Sequence, residues 1–168
     1  MHYYTNESIM RVDKLPREMI VVGGGYIASE FAHVFASFGT KVHMLVRSDV
    51  MLRGSDAAIS ERFHEVAARD IDIRMNTSIT ELSQEGEIVT ATLDDGTELA
   101  ADALLVATGR IPNGDRMDLA AGGVEMHDDG RIKVDQYGRT SAEGVWALGD
   151  VSSPYQLKHI ANHEAKVV

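Results

Sequence analysis

Cysteine is absent from all 168 residues. No disulfide framework, zinc site or thiol chemistry is therefore open to this chain. Basic residues are scarce: Lys and Arg number 16 against 26 Asp and Glu, for a net charge of −10. That balance repels nucleic acid and anionic membrane. Any anionic ligand must be held by a local cluster of positive groups. The longest apolar runs fall far short of the ~20 residues that cross a bilayer. The first ten residues carry no apolar stretch of the secretory kind, and a cytoplasmic location is expected. There is no internal repeat and no low-complexity tract. What is present is an ordinary globular composition, 44% hydrophobic and 25% charged, with enough length for one domain and a core of normal size.

Residues 1–18 are polar and irregular, end in Leu15-Pro16, and read as a linker. Met19-Ile20-Val21-Val22 is a short apolar run closed by three glycines, the pattern of a buried parallel strand. Helical spacing of Ile27, Phe31, Val34, Phe35 and Phe38 predicts a helix from Tyr26 to Phe38, stopped by Gly39. Lys41–Val46 reads as a second strand, completing a βαβ unit. A second helix is expected over 56–69, capped by Ser55, with Ile59, Phe63 and Val66 as its buried stripe. Ile71, Ile73 and Met75 alternate as in a strand. Glu85-Gly86 and Asp94-Asp95-Gly96 then divide short β-rich runs into an antiparallel meander, and Ala103–Ala107 returns to the buried sheet. Beyond Pro112 glycines break the pattern. An apolar strand is expected at Val145-Trp146-Ala147-Leu148, and a final helix from Tyr155 onward.

The first strand runs directly into Gly23-Gly24-Gly25-Tyr26-Ile27-Ala28, which matches G-x-G-x-x-G/A with Ala28 in the last place. Gly23 permits the tight turn, Gly25 lets a pyrophosphate approach the backbone, and Ala28 lets helix and strand pack closely. Free N–H groups and the positive end of the helix dipole would then face phosphates. The end of the second strand bears on which dinucleotide is bound. An NAD site places an acid there to hold the ribose 2′-hydroxyl. Here the strand ends Leu45-Val46-Arg47-Ser48, with Arg53 six residues beyond Arg47. Two guanidinium groups suit a 2′-phosphate, so NADPH is the expected ligand. The alternative is that both arginines are solvated surface residues.

These residues occur in order with Ala107-Thr108-Gly109-Arg110-Ile111-Pro112-Asn113 and Gly144-Val145-Trp146-Ala147-Leu148-Gly149-Asp150. Together they resemble the pyridine nucleotide–disulfide oxidoreductases, the glutathione reductase-like flavoproteins. Within that family the likeness is strongest to the mycothione reductase branch, in Ala32-His33-Val34-Phe35 and in residues 155–164. The resemblance implies that Gly23, Gly25 and Ala28 hold the pyrophosphate, that Ile27 belongs to the cofactor site, and that Arg47 and Arg53 hold the 2′-phosphate. It makes Tyr26 the residue that covers a flavin and moves aside for nicotinamide. Glu30 would lie near the carboxamide, Gly109 would close the nucleotide cleft, and Asp150 would bond the ribityl region of FAD. No catalytic residue is assigned, and no metal site is expected.

The same resemblance implies an α/β fold: a Rossmann-like parallel sheet with helices and an antiparallel meander, over 19–110, followed by part of a flavin domain over 111–168. A complete enzyme of this kind also needs a flavin fingerprint, a cysteine pair and a dimerisation domain. The chain has one glycine fingerprint and no cysteine. It is expected to bind NADPH without reductase turnover, to retain no FAD, and to have the missing flavin and dimerisation domains as partners. Without a sheet to join, the strand at 145–148 is expected to pair with another copy, fold back on the nucleotide domain, or lose order. Two other readings stay open: a stand-alone NAD(P)H-sensing module, and part of another flavoprotein such as a ferredoxin or nitrite reductase.

Overall fold

Met19, Ile20 and Val21 follow one another and are all fully buried, which requires cover on both faces of their strand. The computed structural model, which describes all 168 residues, supplies that cover in the first of two compact units, Met1–Gly109 and Arg110–Val168. The first unit runs β1 (Glu18–Val22), α1 (Tyr26–Ser37), β2 (Lys41–Val46), α2 (Ala57–Ala67), β3 (Asp72–Met75), β4 (Ile79–Glu85), β5 (Ile88–Leu93), β6 (Glu98–Ala101) and β7 (Ala103–Val106). Strands β3-β2-β1-β7 form one parallel sheet, with Met19 opposite Val42 on one side and Ala103 on the other. Strands β4-β5-β6 form a separate antiparallel sheet.

Side-chain alternation along β1 divides the core into two layers. Met19 and Val21 pack with Val42, Met44, Ala28, Ala32 and Phe35, on the helix side. Ile20 packs with Leu45, Leu104, Val89, Ala91 and Leu93, under the antiparallel sheet. The unit is thus a Rossmann-type α/β fold with a β-meander on its second face.

The buried stripe of α1 is Ala28, Ser29, Ala32 and Phe35, whereas Val34 and Phe38 are 44% and 69% exposed. Several sequence expectations are corrected here. Helix α2 is capped by Asp56, not Ser55; the Asp56 carboxylate accepts from the Ala58 N–H at 2.9 Å. Its buried residue is Ser60, while Ile59 and Val66 are exposed. The opening segment, read as a linker, is tied down. The Tyr4 N–H donates to the Leu104 carbonyl at 2.7 Å, the Val106 N–H donates to the Tyr4 carbonyl at 2.9 Å, and Ile9 is fully buried.

The second unit has little regular structure beyond 3-10 turns at Asn113–Arg116 and Gly149–Val151 and a helix α3 (Lys158–Glu164). The strand expected at 145–148 does not form. A strand needs an extended neighbour, and the only pairing there is a single bridge between Trp146 and Arg139. The segment instead packs within its own unit, where Ala147 joins Val124 and Ile132 in a small core. The last helix begins at Lys158, not Tyr155. Gln156, with φ +48, stands outside helical geometry and delays the start.

Candidate functional site

Three neighbouring strands end together: Val22 of β1 pairs with Leu45 of β2 and with Val106 of β7. From that edge the chain turns through Gly23, where φ is +135 and an added Cβ would lie 2.4 Å from the Ala107 carbonyl oxygen. Only glycine fits there. The Gly23 N–H donates to the Leu45 carbonyl at 2.9 Å. A Cβ at Gly24 would meet Val46 Cγ1 at 2.7 Å. Gly25 then caps α1 with no side-chain hydrogen bond.

The first helical amide to find an acceptor is that of Ser29, on the Gly25 carbonyl at 3.0 Å. The N–H groups of Gly25, Tyr26, Ile27 and Ala28 donate to no protein atom. Four orphan donors at the positive end of a 12-residue helix give this acidic chain a local region of positive potential. Such an edge, where β1 leads to β2 on one side and β7 lies on the other, is where open α/β sheets receive ligands.

Both arginines flank this turn. Arg47 directly follows Val46, whose side chain abuts Gly24. Arg53 directly follows Leu52, whose N–H donates to the Gly24 carbonyl at 2.7 Å. Both are exposed, and neither takes part in an ion pair. Tyr26 and Glu30, one turn apart on α1, are exposed, Ile27 is half-buried, and Ala28 is fully buried. Gly109 lies three residues beyond the end of β7, with φ +158. The structure therefore assembles Gly23, Gly25, Tyr26, Ile27, Ala28, Glu30, Arg47 and Arg53 around one edge of one sheet. Asp150 belongs to the other unit, where its carboxylate accepts from Arg110 Nη1 at 3.1 Å. The contact of Leu52 with Gly24 was invisible to sequence reasoning, since nothing local marks a hydrogen bond spanning 28 positions.

The opposite edge of the sheet is held by carboxylates. Asp102 Oδ2 accepts from the Arg17 and Glu18 N–H groups at 2.9 Å each, and Oδ1 accepts from Arg17 Nη2 at 3.1 Å. The Glu18 amide, with Arg17, holds the Asp102 carboxyl below the usual carboxylate range. His43 is buried in β2 with Nδ1 2.8 Å from Asp72 and Nε2 3.2 Å from Glu18. The His43 contact, helped by Lys41, lowers Glu18. For Asp72, burial pushes upward but the His43 and Arg74 hydrogen bonds outweigh it, and the net direction is down.

A glycine elbow between parallel strand and helix, set in this topology, has counterparts among known proteins. The family model for pyridine nucleotide-disulphide oxidoreductases matches residues 1–165. The chain belongs to that family. It is 49% identical over 166 residues to the mycothione reductase of Mycobacterium tuberculosis strain H37Rv, covering 99% of this chain and 36% of that protein. It is 34% identical over 161 residues to a glutathione reductase of Burkholderia cepacia, covering 95% of this chain and 36% of that protein. Among solved structures it superposes on the HOCl-induced flavoprotein disulfide reductase RclA of Escherichia coli with a TM-score of 0.90 at 30% identity, over 98% of this chain and 38% of RclA. The chain thus has the flavoprotein disulfide reductase fold and spans little more than a third of the length of these relatives. No helix is long and apolar enough to cross a membrane.

Proposed function

We propose that this chain is the NADPH-binding domain of a flavin-dependent disulfide reductase. The observation that carries the reading is the elbow at 23–28. Gly23 is required internally, by its φ and by Ala107. Gly25 is not: its φ is −92, and an added Cβ would meet nothing within 4 Å. A glycine with no internal reason, beside four unpartnered amides, suits close approach by a pyrophosphate. The free guanidinium groups of Arg47 and Arg53 suit the 2′-phosphate that distinguishes NADPH from NADH. Tyr26 and Glu30, exposed on the first turns of α1, would meet the nicotinamide end.

In a full-length enzyme of this kind, FAD would take hydride from NADPH and supply two electrons to open a cysteine disulfide, and the resulting thiolate would attack a low-molecular-weight disulfide such as mycothione. NADPH supplies the reducing equivalents, and this chain binds and orients it. Asp150 and Tyr26 are the residues here with roles proposed toward FAD, Asp150 by hydrogen bonding and Tyr26 by covering the flavin. With no cysteine, the chain by itself is expected to bind nucleotide without reducing a disulfide.

Titration calorimetry tests the reading. Wild-type chain should bind NADPH more tightly than NADH at matched salt. Arg47→Glu should weaken NADPH by about tenfold or more, the loss of one charge-assisted contact, while NADH changes little. Equal losses for both nucleotides would remove the 2′-phosphate assignment.

A further inference from the structure

We propose that Leu52 is a positioning residue for nucleotide selectivity, fixing where Arg53 leaves the backbone; this rests on the nucleotide reading above. Leu52 has φ +49. The other non-glycine residues in that region are Asn76, Asp118 and Gln156. Asn and Asp adopt it with help from their short polar side chains, and leucine has no such compensation. A leucine held there is over-determined by its surroundings.

Those surroundings are specific. The Leu52 N–H donates to the Gly24 carbonyl at 2.7 Å, inside the elbow itself. Its own carbonyl accepts from the Ser55 N–H at 2.7 Å and from the Ser60 hydroxyl at 3.5 Å. Its side chain and that of Met51 are buried in the helix-side core. The start of the loop is fixed as well: the Ser48 carbonyl accepts from the Asn76 N–H at 3.1 Å, and the Ser48 hydroxyl donates to the Val50 carbonyl at 2.7 Å.

Two consecutive buried residues followed at once by an exposed arginine require a sharp change of direction, and the left-handed residue provides it. The Ser55 N–H closes this turn on the Leu52 carbonyl, and the Leu52 N–H ties the same residue to Gly24. The backbone that would hold pyrophosphate and the backbone that presents Arg53 are therefore joined directly through Leu52. Arginine loses considerable rotamer freedom on binding, so a fixed point of origin matters for its contribution.

Two substitutions separate the backbone role from simple packing. Leu52→Gly removes the side chain but keeps the amide and adopts φ +49 freely. Leu52→Ile keeps amide and apolar bulk, but β-branching opposes that φ. The readout is the ratio of NADH to NADPH dissociation constants by calorimetry. Leu52→Gly should keep the wild-type ratio within about twofold, whereas Leu52→Ile should lower it about tenfold, the worth of one charge-assisted contact. An unchanged ratio in Leu52→Ile, or an equal fall in Leu52→Gly, overturns the proposal. Should Leu52→Ile not fold, Leu52→Gly still decides, together with hydrogen exchange of the wild-type Leu52 amide. That amide should be protected, and exchange at the rate of an exposed amide overturns the proposal. A wild-type chain that fails to prefer NADPH overturns the nucleotide reading and this proposal with it. Wild-type preference that survives in Leu52→Ile overturns this proposal alone.

Discussion

Alanine at Gly23 would place a methyl carbon 2.4 Å from the Ala107 carbonyl oxygen and hold a side-chain-bearing residue at φ +135. Neither the oxygen nor the strand behind it can yield, because the Ala107 N–H is itself bonded to Val22 at 2.9 Å. Gly23→Ala should cost about 3 kcal/mol or more in urea denaturation; a loss below ~1 kcal/mol would show that the turn is looser than described. Gly25→Ala meets no such obstacle, so the two substitutions have different meanings. One probes the fold and the other the proposed nucleotide site. The fingerprint gives the two glycines different tasks, and the structure separates them by the Ala107 carbonyl, just past β7, which faces Gly23 and has no counterpart at Gly25. Arg47 and Arg53 drew notice in the sequence by their place after the second strand, where an NAD site carries an acid, and the structure leaves both exposed and unpaired. Leu52 was not legible, because its importance lies in its backbone and in Gly24, not in its side-chain type.

For whole elements, legibility followed the range of the signal. Strand β1, the elbow and both hairpins of the meander carry local marks, namely an unbroken apolar run and glycines at Gly86 and Gly96 with positive φ. They form where the sequence places them. The buried face of α2 depends on contacts with a distant sheet, so the stripe expected at Ile59, Phe63 and Val66 holds only at Phe63, which is partly buried, while Ile59 and Val66 are exposed. The expected strand at 145–148 had an apolar run but no strand to join. The cap of α2 moved by one residue to Asp56, and that too is testable: Asp56→Ala should cost about 1 kcal/mol, read as a lower urea midpoint at unchanged slope. No change would mean that Ser55 or water satisfies the same amide.

The strand ends opposite the elbow define an acid limit. Glu18, Asp72 and Asp102 all lose protons more readily in the folded chain than the usual carboxylate. The unfolded chain therefore binds more protons wherever these groups titrate. Their contribution is fully present above the unfolded range, about pH 4, and is lost as pH falls through and below it. Melting temperature should be level from neutral pH to about 5 and fall steeply below about 4. A maximum below pH 4 would reverse the sign and contradict the assignment. Partial exposure of these side chains limits how much each contributes.

In the molecule as a whole, an acidic surface and a small set of positive groups at one sheet edge divide the work. The net charge of −10 discourages polyanions in general, while the four amides and two arginines are the groups proposed to receive a dinucleotide. The fold was legible at this scale because the βαβ unit and meander are complete within residues 18–106. The irregular unit from Arg110 onward was not, since a core of Val124, Ile132 and Ala147 leaves little periodic signal. The measurement that bears most directly on the account is an amide NMR titration of the chain with NADPH. The largest shifts should fall on Gly24–Ala28 and on Arg47–Arg53, saturating together. Shifts concentrated in the β4-β5-β6 sheet, or none at saturating nucleotide, would contradict it.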